Sequence, residues 1–182
     1  ELGCHSVRNW QAVQHEKINQ VDPENVFLKD YNVRSVACST GCMVHCSHWW
    51  KIKDGPFSGE VGEKPEYVTS DALGLHVDNV RMDAICHLQN LVNKYGVDCV
   101  EAGTAIGLLM ELWQKGLITS KDTDGLAYEW GDVGVIEETL RKITYREGIG
   151  DTLADGTLNA ARKIGRGAEK FVCHSKGMVM IE

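Results

Sequence analysis

The chain has 182 residues, 43% of them hydrophobic, and a formal net charge of −7 at pH 7. This length and composition are typical of a soluble globular protein with one domain or two small ones. Nucleic acids and anionic membrane surfaces favour basic proteins, so the acidic balance argues against both as main partners. No stretch approaches the roughly 20 apolar residues of a membrane span, and no secretory signal is visible, so we expect a cytoplasmic location.

Residues 1–65 are predicted to be irregular, apart from a short helix near 22–30. They contain few periodic hydrophobic runs, and KIKDGPFSGEVGEKPEY at 51–67 is rich in glycine, proline and charge. Such composition is typical of exposed turns. Because the sequence begins without Met and closes on GMVMIE, we expect it to be part of a longer protein.

Residues 66–182 are predicted to be multihelical. Helical periodicity and capping residues together indicate four helices, over about 79–96, 100–116, 132–146 and 151–164. Gly96 is placed to end the first helix as a left-handed cap, and Asp132 to begin the third as an N-cap. No long alternating strand pattern is present. The predicted fold class is therefore all-α, multihelical, with an irregular cysteine-containing N-terminal part.

Small residues are frequent in the second predicted helix. Gly103, Ala105 and Gly107 stand close together in its sequence. We expect them to allow another segment to approach this helix closely.

Three cysteines, Cys38, Cys42 and Cys46, stand four residues apart in VACSTGCMVHCSHWW. In a reducing compartment such thiols are more often metal ligands or inert core residues than disulfides, and the odd total of seven cysteines points the same way. Soft thiolates select zinc, copper or iron–sulfur clusters, and a loop of this kind can wrap around a cuboidal cluster. A zinc site that includes His45 or His48 and a loop of free thiols are the alternatives.

A cubane cluster normally takes four ligands, whereas this loop offers three cysteines. The fourth ligand would come from another cysteine of the chain or from outside it. The remaining cysteines, each of which could also be a small buried side chain, are Cys4, Cys86, Cys99 and Cys173.

A second candidate site is the junction NKYGVDCVEAGTAIG between the first two predicted helices, where Asp98 and Cys99 precede the second helix. The Asp98 carboxylate and the backbone N–H groups of the helix N-terminus suit a polar heterocycle. The alternative is that Asp98 only caps that helix.

Several segments, in order and spacing, resemble the helical region of the aldehyde ferredoxin oxidoreductase family of tungsten enzymes, which includes the tungsten subunit of benzoyl-CoA reductases. These segments are PEYVTSDALG, NKYGVDCVEAGTAIGLLMELWQKGLIT, DGLAYEWGD and REGIGDTLADGTLNAARKIGRGAEKFVCHSKG. SVRNWQ and the cysteine loop followed by KIKDGPFSG resemble the stretch just upstream. The resemblance covers nearly the whole chain.

The resemblance implies that the chain is part of a protein roughly three times as long. A pterin-binding N-terminal domain would precede it and a further helical domain would follow it. Residues 1–65 would be the cluster-loop segment of the helical domain that 66–182 completes. The cofactors implied are a 4Fe-4S cluster and a tungsten (or molybdenum) ion held by two pyranopterins, and the implied activity is aldehyde oxidation, with ferredoxin or an electron-transfer subunit as electron acceptor.

The resemblance also assigns roles to individual residues. Cys38, Cys42 and Cys46 match the three ligands of the family's cluster loop, whose usual spacing is C-x2-C-x3-C; here the first interval is one residue longer. In the family the fourth ligand comes from the later helical domain. The three cysteines are therefore the implied metal ligands of this chain.

The family's pterin-binding motif, D-x-x-G-L-D/C, matches the segment from Asn93 to Asp98, with an amide in place of the first acid. Asn93, Gly96, Asp98 and the adjacent Cys99 are therefore the implied cofactor-binding residues. Glu66, in the PEY sequence, matches a segment that approaches the metal in some members, and the resemblance gives it a catalytic role.

Two other functions stay open at the level of sequence. One is a stand-alone iron–sulfur or zinc module, used for electron transfer or structure, without a pterin. The other is a helical scaffold that binds no cofactor. We expect the isolated chain to be catalytically inactive, because the implied pterin domain lies outside it.

Overall fold

Helices make up about half of the protein, whose computed structural model describes residues 5–181. The α-helices, in chain order, are α1 (Val7–Trp10), α2 (Tyr67–Ala72), α3 (Met82–Tyr95), α4 (Cys99–Gln114), α5 (Val133–Tyr145), α6 (Ile149–Leu153) and α7 (Thr157–Ile164). Turns of 3-10 helix span Ile18–Val21, Leu75–Val77 and Ala168–Phe171, and a helix with π-type hydrogen bonding spans Pro23–Tyr31. The predicted all-α class is confirmed.

The central element is α4, which packs against α2, α5 and α7. The predicted close approach along its small residues is confirmed. A Cβ atom at Gly103 would lie 2.5 Å from the backbone oxygen of Ala72, and one at Gly107 would lie 2.7 Å from Cδ2 of His76. Glycine at these positions lets α2 and the Leu75–Val77 turn lie directly on α4.

Local capping explains where the long helices begin and end. Asp98 Oδ1 accepts a hydrogen bond from the Glu101 N–H at 2.7 Å, and Asp132 Oδ1 accepts one from Val135 at 3.1 Å. Gly96 ends α3 with φ +67°. These contacts confirm the predicted caps, because each satisfies backbone groups that a helix end leaves without partners. The first long helix begins at Met82, three residues later than predicted.

The prediction of one continuous helix over 151–164 is wrong. The segment divides into α6 and α7 at Gly156, where φ is +94° and ψ is 151°. The first turn of α7 is fixed by α4, since Glu101 Oε1 accepts a hydrogen bond from the Thr157 N–H at 2.5 Å. A side chain from a distant helix therefore sets the break.

The N-terminal part contains a small sheet that the sequence analysis did not predict. Strands β1 (Asn32–Val36), β2 (Ser47–Lys51) and β3 (Val61–Glu63) form an antiparallel sheet in the order β1-β2-β3. The short strands β4 (His174–Ser175) and β5 (Met178–Val179) form a separate ribbon. The helix predicted near 22–30 is confirmed by Pro23–Tyr31. The cysteine-containing connection from β1 to β2 is irregular, as expected.

Two hydrophobic clusters hold these elements together. The larger one is built mainly on α4, α5 and α7. The smaller one joins the N-terminal part to α3 and the Leu75–Val77 turn, through Val7, Val21, Phe27, Trp50, Ile52, Leu75, Met82, Ile85 and Cys86. The boundary at residue 65 stays a prediction, and the segments on its two sides share this second cluster. No helix within residues 5–181 has the length and apolar character needed to cross a membrane.

Gly103→Ala is expected to lower the free energy of unfolding by about 1–3 kcal/mol, because the added methyl group meets the rigid backbone of α2. Gly134→Ala is the matched control. It lies in the exposed first turn of α5, where the nearest atom to a Cβ is 3.4 Å away, and it should change stability by no more than about +1 kcal/mol through helix propensity. Urea unfolding followed by circular dichroism measures both. Equal stability of the two variants would contradict the close contact of α2 with α4.

Candidate functional site

The three predicted metal ligands lie on the loop between β1 and β2. Cys38 and Cys46 are exposed, Cys42 is half-buried, and all three are free thiols. Left-handed backbone at Gly41 (φ +81°) and His45 (φ +52°) turns the chain within this loop. The loop therefore presents its sulfur atoms near the surface of the small sheet.

Neighbouring backbone N–H groups stabilise the thiolate form of Cys42. Its sulfur accepts hydrogen bonds from the backbone N–H groups of His45 and Val44, and its side chain is hydrogen-bonded to that of Cys38. These interactions lower the pKa of Cys42 below its usual value, because the N–H groups stabilise the thiolate.

The donor chemistry of the loop fits a thiolate-ligated cluster, although the sulfur atoms are not gathered around one point. Cys38 and Cys42 interact directly. Yet among residues 5–181 no three His, Cys, Asp or Glu side chains lie close enough together to hold a metal ion. Three thiols and N–H groups directed at sulfur are features that iron–sulfur sites use.

His48, one of the two histidines of the zinc alternative, is held by contacts within the small sheet. His48 Nδ1 contacts Ser35 Oγ and Asn32 Oδ1 at 3.1 Å each, and its ring meets Phe27 edge-on. The polar contacts engage this nitrogen within the sheet, away from the cysteine loop. A zinc site that used His48 Nδ1 would have to break them.

The other cysteines differ in accessibility. Cys86 is fully buried inside α3, and burial raises the pKa of its thiol. Cys99 and Cys173 are half-buried. Cys4 lies outside the described residues.

Glu66, the predicted catalytic residue, occupies the N-cap position of α2, is exposed and makes no capping hydrogen bond with its side chain. Lys64 and Pro65 separate it from the end of β3. The Lys64 N–H donates to His48 O at 2.7 Å, which extends the β2–β3 register beyond β3. Continued by two residues past that bond and beyond the strand ends, the same register would set Glu66 opposite Cys46, the last cysteine of the loop.

The four predicted cofactor-binding residues lie at the junction between α3 and α4. Asn93, Gly96 and Asp98 are exposed, and no atom lies within 4 Å of a Cβ built at Gly96. Asp98 caps α4, which confirms the capping alternative; its cofactor-binding role stays a prediction. The junction has an open, polar surface on which a ligand could lie.

Cys99 connects this junction to α2. Its sulfur lies 3.4 Å from the hydroxyl oxygen of Thr69, which is one turn along α2 from Glu66. The N-termini of α2 and α4 are therefore neighbours. The start of α2, where Glu66 is the N-cap residue, thus lies beside the start of α4 at Cys99.

A cavity of about 210 Å³ adjoins the junction. It is lined by Val97, Asp98, Glu101, Ala102, Ala105, Ile143, Leu153, Ala154 and Gly156. Its walls are apolar apart from the carboxylates of Asp98 and Glu101, a lining suited to a heterocycle with a polar edge. Glu101 holds Thr157 at the rim of the cavity. This role was not predicted from the sequence, where the only local signal was the position of Glu101 three residues after the N-cap Asp98.

A sequence model described as aldehyde ferredoxin oxidoreductase, domains 2 & 3, matches residues 1–182. The chain belongs to this family. The resemblance read from the sequence motifs is thereby confirmed.

Individual proteins agree with this membership. The chain is 33% identical over 181 residues to the aliphatic sulfonate oxidoreductase, WOR-like subunit, of Pyrococcus furiosus, covering 96% of this chain and 28% of that protein. It is 30% identical over 175 residues to a tungsten-containing aldehyde ferredoxin oxidoreductase of Pyrococcus abyssi, covering 94% of this chain and 28% of that protein. The chain thus spans little more than a quarter of the length of these relatives.

A solved structure also matches. It is the active site complex BamBC of benzoyl coenzyme A reductase with 1,5-dienoyl-CoA, with a TM-score of 0.65 and 27% sequence identity, covering 78% of this chain and 20% of that one. The family therefore includes subunits of larger assemblies as well as tungsten-containing oxidoreductases.

In the metal-free chain, Cys42 is expected to be alkylated by iodoacetamide at lower pH than an ordinary thiol. Its lowered pKa produces the reactive thiolate at lower pH. Cys86 serves as the internal control and should react slowest, since it is buried and its pKa is raised. Mass spectrometry of the labelled peptides over a pH series measures both. A midpoint for Cys42 at or above that of free cysteine would show that the loop N–H groups do not contact its sulfur.

Proposed function

We propose that the chain is part of a tungsten- or molybdenum-pterin oxidoreductase that oxidises aldehydes and passes electrons to ferredoxin or an electron-transfer subunit. In this proposal Cys38, Cys42 and Cys46 are ligands of a 4Fe-4S cluster. The junction of Asn93, Gly96, Asp98 and Cys99 contacts a pterin, and Glu66 acts at the metal. The implied pterin domain and the later helical domain would complete the site.

The main support for the proposal is that the fold links the three groups of predicted residues, namely the cysteine loop, Glu66 and the α3–α4 junction. The β2–β3 register leads from the cysteine loop to Glu66, and the contact of Thr69 with Cys99 leads from α2 to the α3–α4 junction. These two links support the proposal, because they relate groups that are far apart in the sequence. A redox cofactor and its electron relay need to lie close together.

When bound, the metal–pterin cofactor supplies the two-electron oxidation of an aldehyde and water to a carboxylic acid, and the cluster supplies one-electron transfer. The chain's own residues would bind and orient the cofactor and the substrate. Exposed Glu66 is available as a proton acceptor, and the Asp98 carboxylate is available to accept hydrogen bonds from N–H groups of a heterocycle.

The role of Asp98 in binding can be separated from its role as a cap. Asp98→Asn keeps a side-chain oxygen for the Glu101 N–H, so stability should change by only a few tenths of a kcal/mol, whereas Asp98→Ala should lose about 1 kcal/mol. If Asp98 also contacts the pterin, the Asn variant of the intact parent protein should retain stability but contain less pterin. Thermal unfolding and pterin analysis of anaerobically purified protein measure the two effects. Normal pterin content in both variants would leave Asp98 with only a capping role.

The cluster ligands are tested by iron analysis of the same anaerobically purified protein. Cys42→Ser and Cys46→Ser should each reduce the bound iron and the visible absorption of a 4Fe-4S cluster, because a hydroxyl group is a much poorer iron ligand than a thiolate. Cys173→Ser, on the half-buried C-terminal cysteine, is the control and should leave the iron content unchanged. Active protein that lacks both iron and tungsten would refute the proposed function. Iron or zinc without any pterin would instead support the stand-alone metal module.

A further inference from the structure

One face of the small sheet is turned away from the protein core. Trp50 is 1% exposed and packs against Gly62 on the inner side, whereas its neighbour Trp49 is 42% exposed. Because side chains alternate along a strand, the residues paired with Trp49 share its side. We call these exposed residues the outer sheet face, which consists of Arg34, Trp49, Lys51, Val61 and Glu63.

Large apolar side chains are unusually accessible on this face and on the loop beside it. Val61 is 57% exposed, and Met43 and Val44 on the cysteine loop are 92% and 76% exposed. Tryptophan and methionine are enriched where proteins bind one another. An exposed apolar patch with polar neighbours indicates an interaction surface.

The same region is locally basic in an acidic chain. Between Asp30 and Asp54 the sequence has no acidic residue, but it has Arg34, Lys51 and Lys53. On the outer sheet face two cationic groups, those of Arg34 and Lys51, stand against the one carboxylate of Glu63, so the formal charge of this face is positive. The cationic groups of Arg34 and Lys51 therefore flank Trp49, whereas the chain as a whole has a net charge of −7.

We propose that the outer sheet face, together with Met43 and Val44, is the docking surface for an acidic electron-carrier protein. The inference rests on the proposed function, since the cysteine loop must hold a redox centre for an electron carrier to dock usefully beside it. A protein bound to this face would lie against the loop that connects β1 to β2. Basic groups around an apolar centre accelerate association with an acidic partner and fix its orientation.

The experiment uses the intact parent protein, purified anaerobically, with a purified acidic ferredoxin as the probe. Arg34→Glu combined with Lys51→Glu should weaken ferredoxin binding about tenfold at low ionic strength and flatten its salt dependence. Trp49→Ala should weaken binding with little change in salt dependence, because it removes apolar contact only. Lys121→Glu, an exposed charge reversal in the turn that precedes α5, is the matched control and should bind ferredoxin normally.

Two further readouts separate docking from the proposed function. Reduction of methyl viologen, which needs no protein surface, should be unchanged in the outer-face variants, and so should the iron content. Loss of iron or dye reduction in the unaltered protein would count against the proposed function itself. The docking proposal alone is overturned if the outer-face variants keep normal iron content and dye reduction but bind ferredoxin no more weakly than the Lys121→Glu control.

Photochemical carbene labelling tests the competing occupant, the rest of the same polypeptide. Trp49 should be labelled in the free parent protein and protected when ferredoxin is added. If Trp49 is unlabelled in the free protein, then other parts of the parent chain or a second copy cover the face, and the proposal is overturned.

Discussion

The pairing of β2 with β3 depends on a contact that only glycine permits at position 62. A Cβ atom there would lie 2.6 Å from Cζ2 of Trp50 and 2.5 Å from Oδ1 of Asn90. Trp50 is almost fully buried, and its Nε1 donates to Glu63 O at 2.7 Å. The burial of a large aromatic ring therefore fixes the strand register, because a slip of one residue would turn Trp50 to the solvent and Trp49 to the core.

The candidate site follows from that register. The register sets the position of the end of the cysteine loop relative to β3. Because residues 64–66 are the whole connection from β3 to α2, the register also sets where α2 begins. The small residues of α4 then let α2 lie close to it, which brings Thr69 to Cys99. Each step is a packing constraint, so the arrangement of the candidate residues depends on buried side chains and glycines outside the candidate site.

The sequence predicted the long helices because their periodicity and caps are local. Gly96, Asp98 and Asp132 stand within four residues of the groups they satisfy, so their roles can be read without a structure. The small sheet was missed because its strands have three to five residues and two of them are exposed over most of their length. The break between α6 and α7 was missed because it involves Glu101, 56 residues earlier.

The residues of the candidate site could be proposed from the sequence, but their arrangement could not. The family resemblance named the cysteines, Glu66 and the α3–α4 junction, yet the connection between them needs the strand register and the contact between Thr69 and Cys99, 30 residues apart. Sequence spacing carries no information about such distant pairs. The structure supplies it through the sheet and the α2–α4 contact.

Thiol cross-linking between positions 46 and 66 tests the central claim, that the β2–β3 register brings the cysteine loop to the start of α2. The chain would carry Glu66→Cys, with Cys38→Ser and Cys42→Ser to leave Cys46 as the loop's single thiol. We expect a short bifunctional thiol reagent to join Cys46 to the new thiol at position 66. If both thiols react with a monofunctional reagent but are never joined to each other, the claim is wrong.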